Sequence, residues 1–285
     1  MKLLKKFRTG LLECGWVSRI TIRTSLHRTL GRCAYYALSG VILLIPQENI
    51  LASQYRIEHC LYGCPRGESV SNQLLIRPIY ALSFNMVTKS ADWVAYKVSA
   101  DSIGIASSLS RQAITDNFIA ETLQESDFLE LEAEGLIRSQ YVSLVNFAGT
   151  PYWNDVNYLS NSVARNRNLN QGAWHGLEWS IRNLVNRETE VFIITGPIYD
   201  YEKSLQASPL SVVGRMRVPD AFFKIVVTES GQGTAFLLDQ DLPVHVHHCE
   251  LRVAFEEIER ATGLSFFTEQ PQFTWEPLDS SLGCR

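Results

Sequence analysis

Between Leu74 and Val98 the stretch LLIRPIYALSFNMVTKSADWVAYKV alternates apolar and polar residues in two runs parted by Asn85 to Asp92, which predicts a strand hairpin. The segment from Ser102 to Glu134 is polar and irregular and reads as a surface excursion carrying Arg111. From Leu169 onward NQGAWHGLEWSIRNLVNR takes helical spacing, with Trp174, Leu177, Ile181 and Leu184 on one apolar face. The continuous apolar run VFIITGPIYD, residues 191–200, is broken by Gly196-Pro197 and predicts a buried strand and turn. DAFFKIVVTE and GTAFLLDQ, parted by Ser230-Gly231-Gln232-Gly233, predict a second hairpin, and VAFEEIERATGL an amphipathic helix stopped by Gly263. Strands and helices interleave without a βαβ rhythm. The expected fold class is therefore α+β, a central and mainly antiparallel sheet flanked by helices.

The N-terminus departs from this pattern. Eight basic residues, from Lys2 to Arg32, come before the apolar run CAYYALSGVILLIP at Cys33–Pro46. Basic first and apolar second is an export pattern, and the run is short of the ~20 residues a bilayer span needs. Residues 1–52 are expected to be an export leader, with Ala52 as a cleavage position, or an uncleaved membrane anchor. Residues 53–285 are expected to form a single domain, secreted or periplasmic, or held at the membrane by the uncleaved segment. Without the leader, 18 basic residues face 28 acidic ones, a net charge of −10. An acidic body is not held on nucleic acid by its overall field, so any phosphate binding must come from a local arginine cluster. The body holds four cysteines, Cys60, Cys64, Cys249 and Cys284, which allow three pairings. HCLYGCP brings Cys60 and Cys64 close enough to close a tight loop, leaving Cys249 with Cys284. Four free thiols in a reducing cell are the alternative.

Asn170, Trp174, Glu178 and Arg182 recur every four residues and form one stripe on the predicted helix. Such a stripe can present a neutral oxygen ligand in Asn170, a carboxylate in Glu178 and a phosphate-forking guanidinium in Arg182. The plainer reading is a capping asparagine, a core tryptophan and a solvated Glu–Arg pair. His175 is expected to point about 100° away from the stripe. In PVHVHHC, His245 and His247 fall on one face of an expected strand with His248 beside them, a metal-capable spacing that lacks a carboxylate partner.

Seven blocks in order carry a resemblance: HCLYGCP (59–65), YALSFNMVTKSADWVAYKV (80–98), FAGTPYWNDVNYLSN (147–161), LNQGAWHGLE (169–178), ITGPIYD (194–200), VPDAFFKIVV (218–227) and FEEIERATGLSFF (255–267). They resemble the DNA/RNA non-specific endonuclease family, the secreted sugar-non-specific bacterial nucleases with a ββα-metal site. The resemblance implies the pairings Cys60–Cys64 and Cys249–Cys284. It implies a single Mg²⁺ held by Asn170, with Glu178 and Arg182 at the site, Arg111 on phosphate, and nucleic acid of either sugar, without sequence preference, as partner. It also admits a homodimer.

The family's Asp-Arg-Gly-His motif falls on Ile137, Arg138, Ser139 and Gln140, so Gln140 stands where the general-base histidine belongs. An amide cannot take a proton from water near neutral pH. Ile137 replaces an acidic group, and Ser139 adds a Cβ where the backbone is expected to need positive φ. The family's Thr-Pro-Gln turn falls on Val163, Ala164 and Arg165, and Arg165 with Arg167 is expected to add phosphate-gripping charge beside the site. The function this implies is a pseudonuclease with Mg²⁺ binding weakened or lost. Its alternatives are an active Mg²⁺-dependent endonuclease and a non-catalytic nucleic-acid- or protein-binding module.

Overall fold

A computed structural model describes residues 56–200, 212–213, 215–270 and 276–285, so the expected leader or anchor over 1–52 lies outside the described residues. The alternating N-terminal stretch folds as three strands, β1 (Gln73–Ile76), β2 (Ala81–Asn85) and β3 (Ser90–Ser99). The β2–β3 turn is tighter than Asn85 to Asp92. The Asn85 carboxamide oxygen accepts from the Val87 N–H at 2.8 Å and its NH₂ donates to Asp92 at 3.1 Å, so both residues belong to the strand ends. Next come β4 (Leu136–Gln140), α1 (Leu144–Phe147), β5 (Ser162–Asn166), α2 (Arg167–Leu169), a wide π turn (Asn170–Trp174) and α3 (His175–Val185). The remaining elements are β6 (Glu190–Ile198), β7 (Val212–Val213), β8 (Met216–Arg217), β9 (Ala221–Thr228), β10 (Gln232–Asp239), β11 (Arg252–Val253), α4 (Phe255–Thr262) and β12 (Glu276–Pro277).

The main sheet runs β1-β2-β3-β6-β9-β10-β11, antiparallel at every step, with β12 adding in parallel to β10. The fold is α+β. Its central strands are covered on both faces, which is why VFIITGPI and AFFKIVV read as continuous apolar runs rather than alternating ones. Alternation still sorts them. Phe222 and Val226 of β9 pack with Tyr96, Ile193, Leu177 and Ile181 under α3, while Phe223, Ile225 and Val227 pack with Trp93, Ile194, Ile258 and Phe266 under α4. Lys224 shares the parity of Phe222 and so points toward α3.

The helical spacing from Leu169 is interrupted at its start. At Gly172 (φ −91°, ψ −111°) the helix is not regular, and a Cβ there would sit 2.4 Å from the Val244 carbonyl oxygen. The chain passes so close only because residue 172 has no side chain, and the π turn absorbs the irregularity. Gly263, at φ +71°, ends α4 as its sequence predicts. The excursion from Ser102 to Glu134 is more than surface. Asp116 is buried and takes a hydrogen bond from Arg77 at 2.7 Å, while Leu123, Phe128 and Leu131 form a third apolar cluster with Leu136, Ala164 and Met216.

Both disulfides form, Cys60–Cys64 spanning four residues and Cys249–Cys284 spanning 35. The stabilisation a cross-link gives through the unfolded chain grows with the loop it closes. Cys249→Ser/Cys284→Ser should therefore cost roughly 4 kcal/mol and Cys60→Ser/Cys64→Ser roughly 2 kcal/mol, read as shifts in urea unfolding of the oxidised chain.

Candidate active site

β4 and β5 pair antiparallel, Ile137 opposite Arg165 and Gln140 opposite Ser162, and α3 follows β5 through α2 and the π turn. This ββα unit walls a cavity of about 360 Å³ lined by Arg111, Arg138, Ser139, Gln140, Ser143, Leu144, Val145, Asn170, Trp174, His175, Glu178 and Arg182. Arg111, Arg138, Gln140, Asn170, Glu178 and Arg182 thus meet in one place, across more than seventy residues of chain. Arg165 and Arg167 do not line it.

Arg165 corrects the expectation of a phosphate-gripping charge beside the site. It lies in β5, its exposure is 0%, and its guanidinium sits 3.5 Å from the Trp174 ring centroid and 4.8 Å from that of Phe222. Its Nη1 donates to Asn170 Oδ1 at 3.1 Å and to Ser139 Oγ, and its Nη2 donates to the Gln140 carbonyl oxygen at 3.3 Å. Burial lowers its pKa to about 9, which leaves it charged at neutral pH. Arg167 is on the surface, 3.7 Å from Glu132, because the chain has turned away into α2. Ser139 is also corrected. It lies in extended strand rather than at positive φ, and its hydroxyl donates to Asn170 Oδ1 at 2.7 Å.

Gln140 holds its carboxamide with Nε2 donating to the Val156 carbonyl oxygen at 2.8 Å and to Asn157 Oδ1 at 3.3 Å. Arg138 Nη2 donates to the Arg111 carbonyl oxygen at 3.0 Å, while its Nη1 is buried with no hydrogen-bond partner among the described residues. Glu178 is 3% exposed and heavily engaged: the Lys224 ammonium contacts Oε1, Asn146 Nδ2 donates to Oε2 at 3.0 Å, and Arg182 Nη1 lies 3.6 Å from Oε2. Burial opposes its ionisation, but Lys224, Arg182 and Asn146 outweigh burial and hold its pKa below the ordinary glutamate value. Burial lowers Lys224 to about 8, against the pull of Glu178.

Sequence reasoning missed Lys224 and Asn146. A lysine inside AFFKIVV, on a strand buried on both faces, requires a counter-charge and was the available signal. His175 was expected to point away but lines the cavity, because the cleft opens over the first turn of α3, where both flanks of the helix reach its rim. The strand expected at His245 and His247 is a turn leading into a short 3₁₀ segment. Donor atoms of His247, His248 and Cys249 lie within 4.8 Å of one another, but the Cys249 sulfur is committed to Cys284 and is not a metal ligand.

A magnesium ion keeps several waters and takes its protein ligands from oxygen donors free to face it, carboxylates above all. Asn170 Oδ1 already accepts from a hydroxyl and from a guanidinium, and the cavity's one carboxylate, Glu178, is neutralised by Lys224 and Arg182. The residues present do not fit the ion.

The profile of the DNA/RNA non-specific endonuclease family matches residues 61–273. A nuclease of Serratia marcescens is 34% identical over 236 residues, covering 80% of this chain and 86% of that protein. The mitochondrial endonuclease G of Bos taurus is 25% identical over 207 residues, covering 68% and 69%. Among solved structures, the crystal structure of the EndoG/EndoGI complex aligns at a TM-score of 0.62 with 21% identity, covering 73% of this chain and 89% of that one, a likeness of fold.

Lys224→Met strands the Glu178 carboxylate in the core and should cost about 3–5 kcal/mol in chemical denaturation, the double variant Lys224→Met/Glu178→Leu losing less than the single. In the wild type the depressed Glu178 pKa gives stability that is complete above about pH 4.3 and is lost as pH falls through the lower folded value. Glu178→Gln should flatten that acid limb in a pH series of melting temperatures.

Proposed function

The chain belongs to the DNA/RNA non-specific endonuclease family, and from that premise we propose that it is a member which binds the phosphodiester backbone in its cleft but hydrolyses it weakly or not at all. Nucleases of the family typically use a divalent metal ion. The observation that carries the proposal is Gln140, whose carboxamide is anchored on Val156 and Asn157 at the mouth of the ββα unit. Whichever way the amide is turned, it offers no atom that accepts a proton from water near neutral pH. Neighbouring Ile137 supplies no charge to orient or replace a base. What this chain's own residues do in the cleft is hold an anion. Arg111, Arg138 and Arg182 line it against Glu178 alone, and Glu178 is already paired.

The active alternative is favoured by one observation, the imidazole of His175 at the rim of the same cavity. It would require His175 to reach the attacking water that Gln140 cannot activate. The compartment we propose is secreted or periplasmic, since two disulfides persist in an oxidising environment. Among the described residues no helix is long and apolar enough to cross a membrane.

Nicking of supercoiled plasmid and cleavage of RNA by the full chain, with Mg²⁺ and with chelator, test the reading. The comparison is a variant combining Ile137→Asp, Ser139→Gly and Gln140→His with Arg165→Gln. Wild type should be slower than this variant by roughly 10²–10⁴, and the variant's rate should fall below about pH 6.5 as the introduced imidazole protonates. Wild-type cleavage at the variant's rate, abolished by His175→Ala, would establish the active alternative instead. If neither protein cuts or binds nucleic acid, a protein-binding role takes its place.

A further inference from the structure

We propose that the Arg165 guanidinium is a resident cation standing where a divalent ion would meet Asn170, so that the cleft holds a nucleic-acid phosphate through arginine alone, without metal. The inference rests on the reading of the cleft as a phosphodiester site. Asn170 Oδ1 has two acceptor directions, and both are filled, one by Ser139 Oγ at 2.7 Å and one by Arg165 Nη1 at 3.1 Å. An incoming divalent ion would have to displace these donors and then share the oxygen's surroundings with a positive charge.

Arg165 is not free to give way. It is fully buried, stacked on Trp174 and Phe222, tied through Nη2 to the Gln140 carbonyl oxygen, and carried by a strand whose backbone pairs with Ile137. No carboxylate lies within ion-pair distance of it among the described residues, and Glu178 attracts it only from farther off. The two departures reinforce each other. Ser139 supplies a hydroxyl that bonds both Asn170 and Arg165, which glycine at that position would not.

The same wall supplies the donors for a phosphate. Arg138 is fixed by Nη2 on the Arg111 carbonyl oxygen, yet its Nη1 is buried without a hydrogen-bond partner among the described residues, and a buried donor of that kind calls for an acceptor. Arg182 is held in place by Asn146 at 3.3 Å with Glu178 beside it. The cleft therefore presents preset guanidinium donors whose charge exceeds that of its single, already paired carboxylate.

Two measurements on the full chain decide it. Electron paramagnetic resonance of free Mn²⁺ should show the same binding for wild type and Asn170→Ala, meaning no Asn170-dependent site. Arg165→Gln should gain a Mn²⁺ site that Arg165→Gln/Asn170→Ala loses. Fluorescence anisotropy with a labelled single-stranded DNA should give the same affinity in chelator as in Mg²⁺ at matched ionic strength, with Arg138→Ala lowering the salt slope by about 1. An Asn170-dependent Mn²⁺ site in wild type, or loss of DNA binding in chelator, would overturn the proposal. If Arg165→Gln does not fold by circular dichroism, the wild-type comparison with Asn170→Ala and the DNA measurement still decide. Cleavage that proceeds in chelator would sink the weak-hydrolysis reading and leave this one standing, while an Asn170-dependent Mn²⁺ site without cleavage would do the reverse.

Discussion

The Arg165 guanidinium is buried with no carboxylate in ion-pair contact among the described residues, and the candidate site takes its shape from how that charge is accommodated. Water is replaced by three polar acceptors, Asn170 Oδ1, Ser139 Oγ and the Gln140 carbonyl oxygen, and by two aromatic rings. A buried charge is tolerable only where such partners offset its desolvation, and here the offset is incomplete, since Nε is buried without a hydrogen-bond partner among the described residues. That condition binds β4, β5 and the start of α3 into one rigid corner. It also fixes what the corner can do, since the oxygen most suited to a metal is spent on an internal cation.

A second buried charge ties this corner to the main sheet. Lys224 leaves β9 on the face of Phe222, touches the Trp174 ring at 3.8 Å and meets Glu178 on α3. Glu178 also holds Asn146 and Arg182, so the helix is registered on the sheet by a hydrogen-bonded network as well as by Leu177, Ile181 and Leu184. The apolar contacts supply most of the burial, but they are non-directional. The network is what fixes the rotation of α3, and with it the direction in which Asn170 and Arg182 face.

Much of this was legible in the chain beforehand. The continuous runs of β6 and β9, the apolar face of α3 and the glycine end of α4 follow from local periodicity and turn chemistry, which a sequence carries directly, while the two cysteine pairs were implied by the family resemblance. The convergence of Arg111, Arg138, Gln140, Asn170, Glu178 and Arg182 was implied by the family resemblance, with only Asn170 and Glu178 inside its matched blocks. What could not be read was which way a side chain goes when the strand carrying it has one face in the core. Arg165 in SVARN looks like surface charge until β5 is seen to lie against Trp174. His175 looked averted from its spacing, yet it lines the cleft where that opens over the first turn of α3. The histidines near Cys249 suggested a strand because the alternation in PVHVH imitates one, although the loop is shaped by the disulfide and by the approach of Val244 to Gly172.

The central claim is that a protein cation occupies the coordination space of Asn170. Anomalous diffraction at the manganese edge from crystals soaked in Mn²⁺ tests it most directly. No anomalous peak is expected near Asn170 Oδ1, with the Arg165 guanidinium still seated on that oxygen. A manganese peak at about 2 Å from Asn170 Oδ1, with Arg165 displaced from it, would contradict the account.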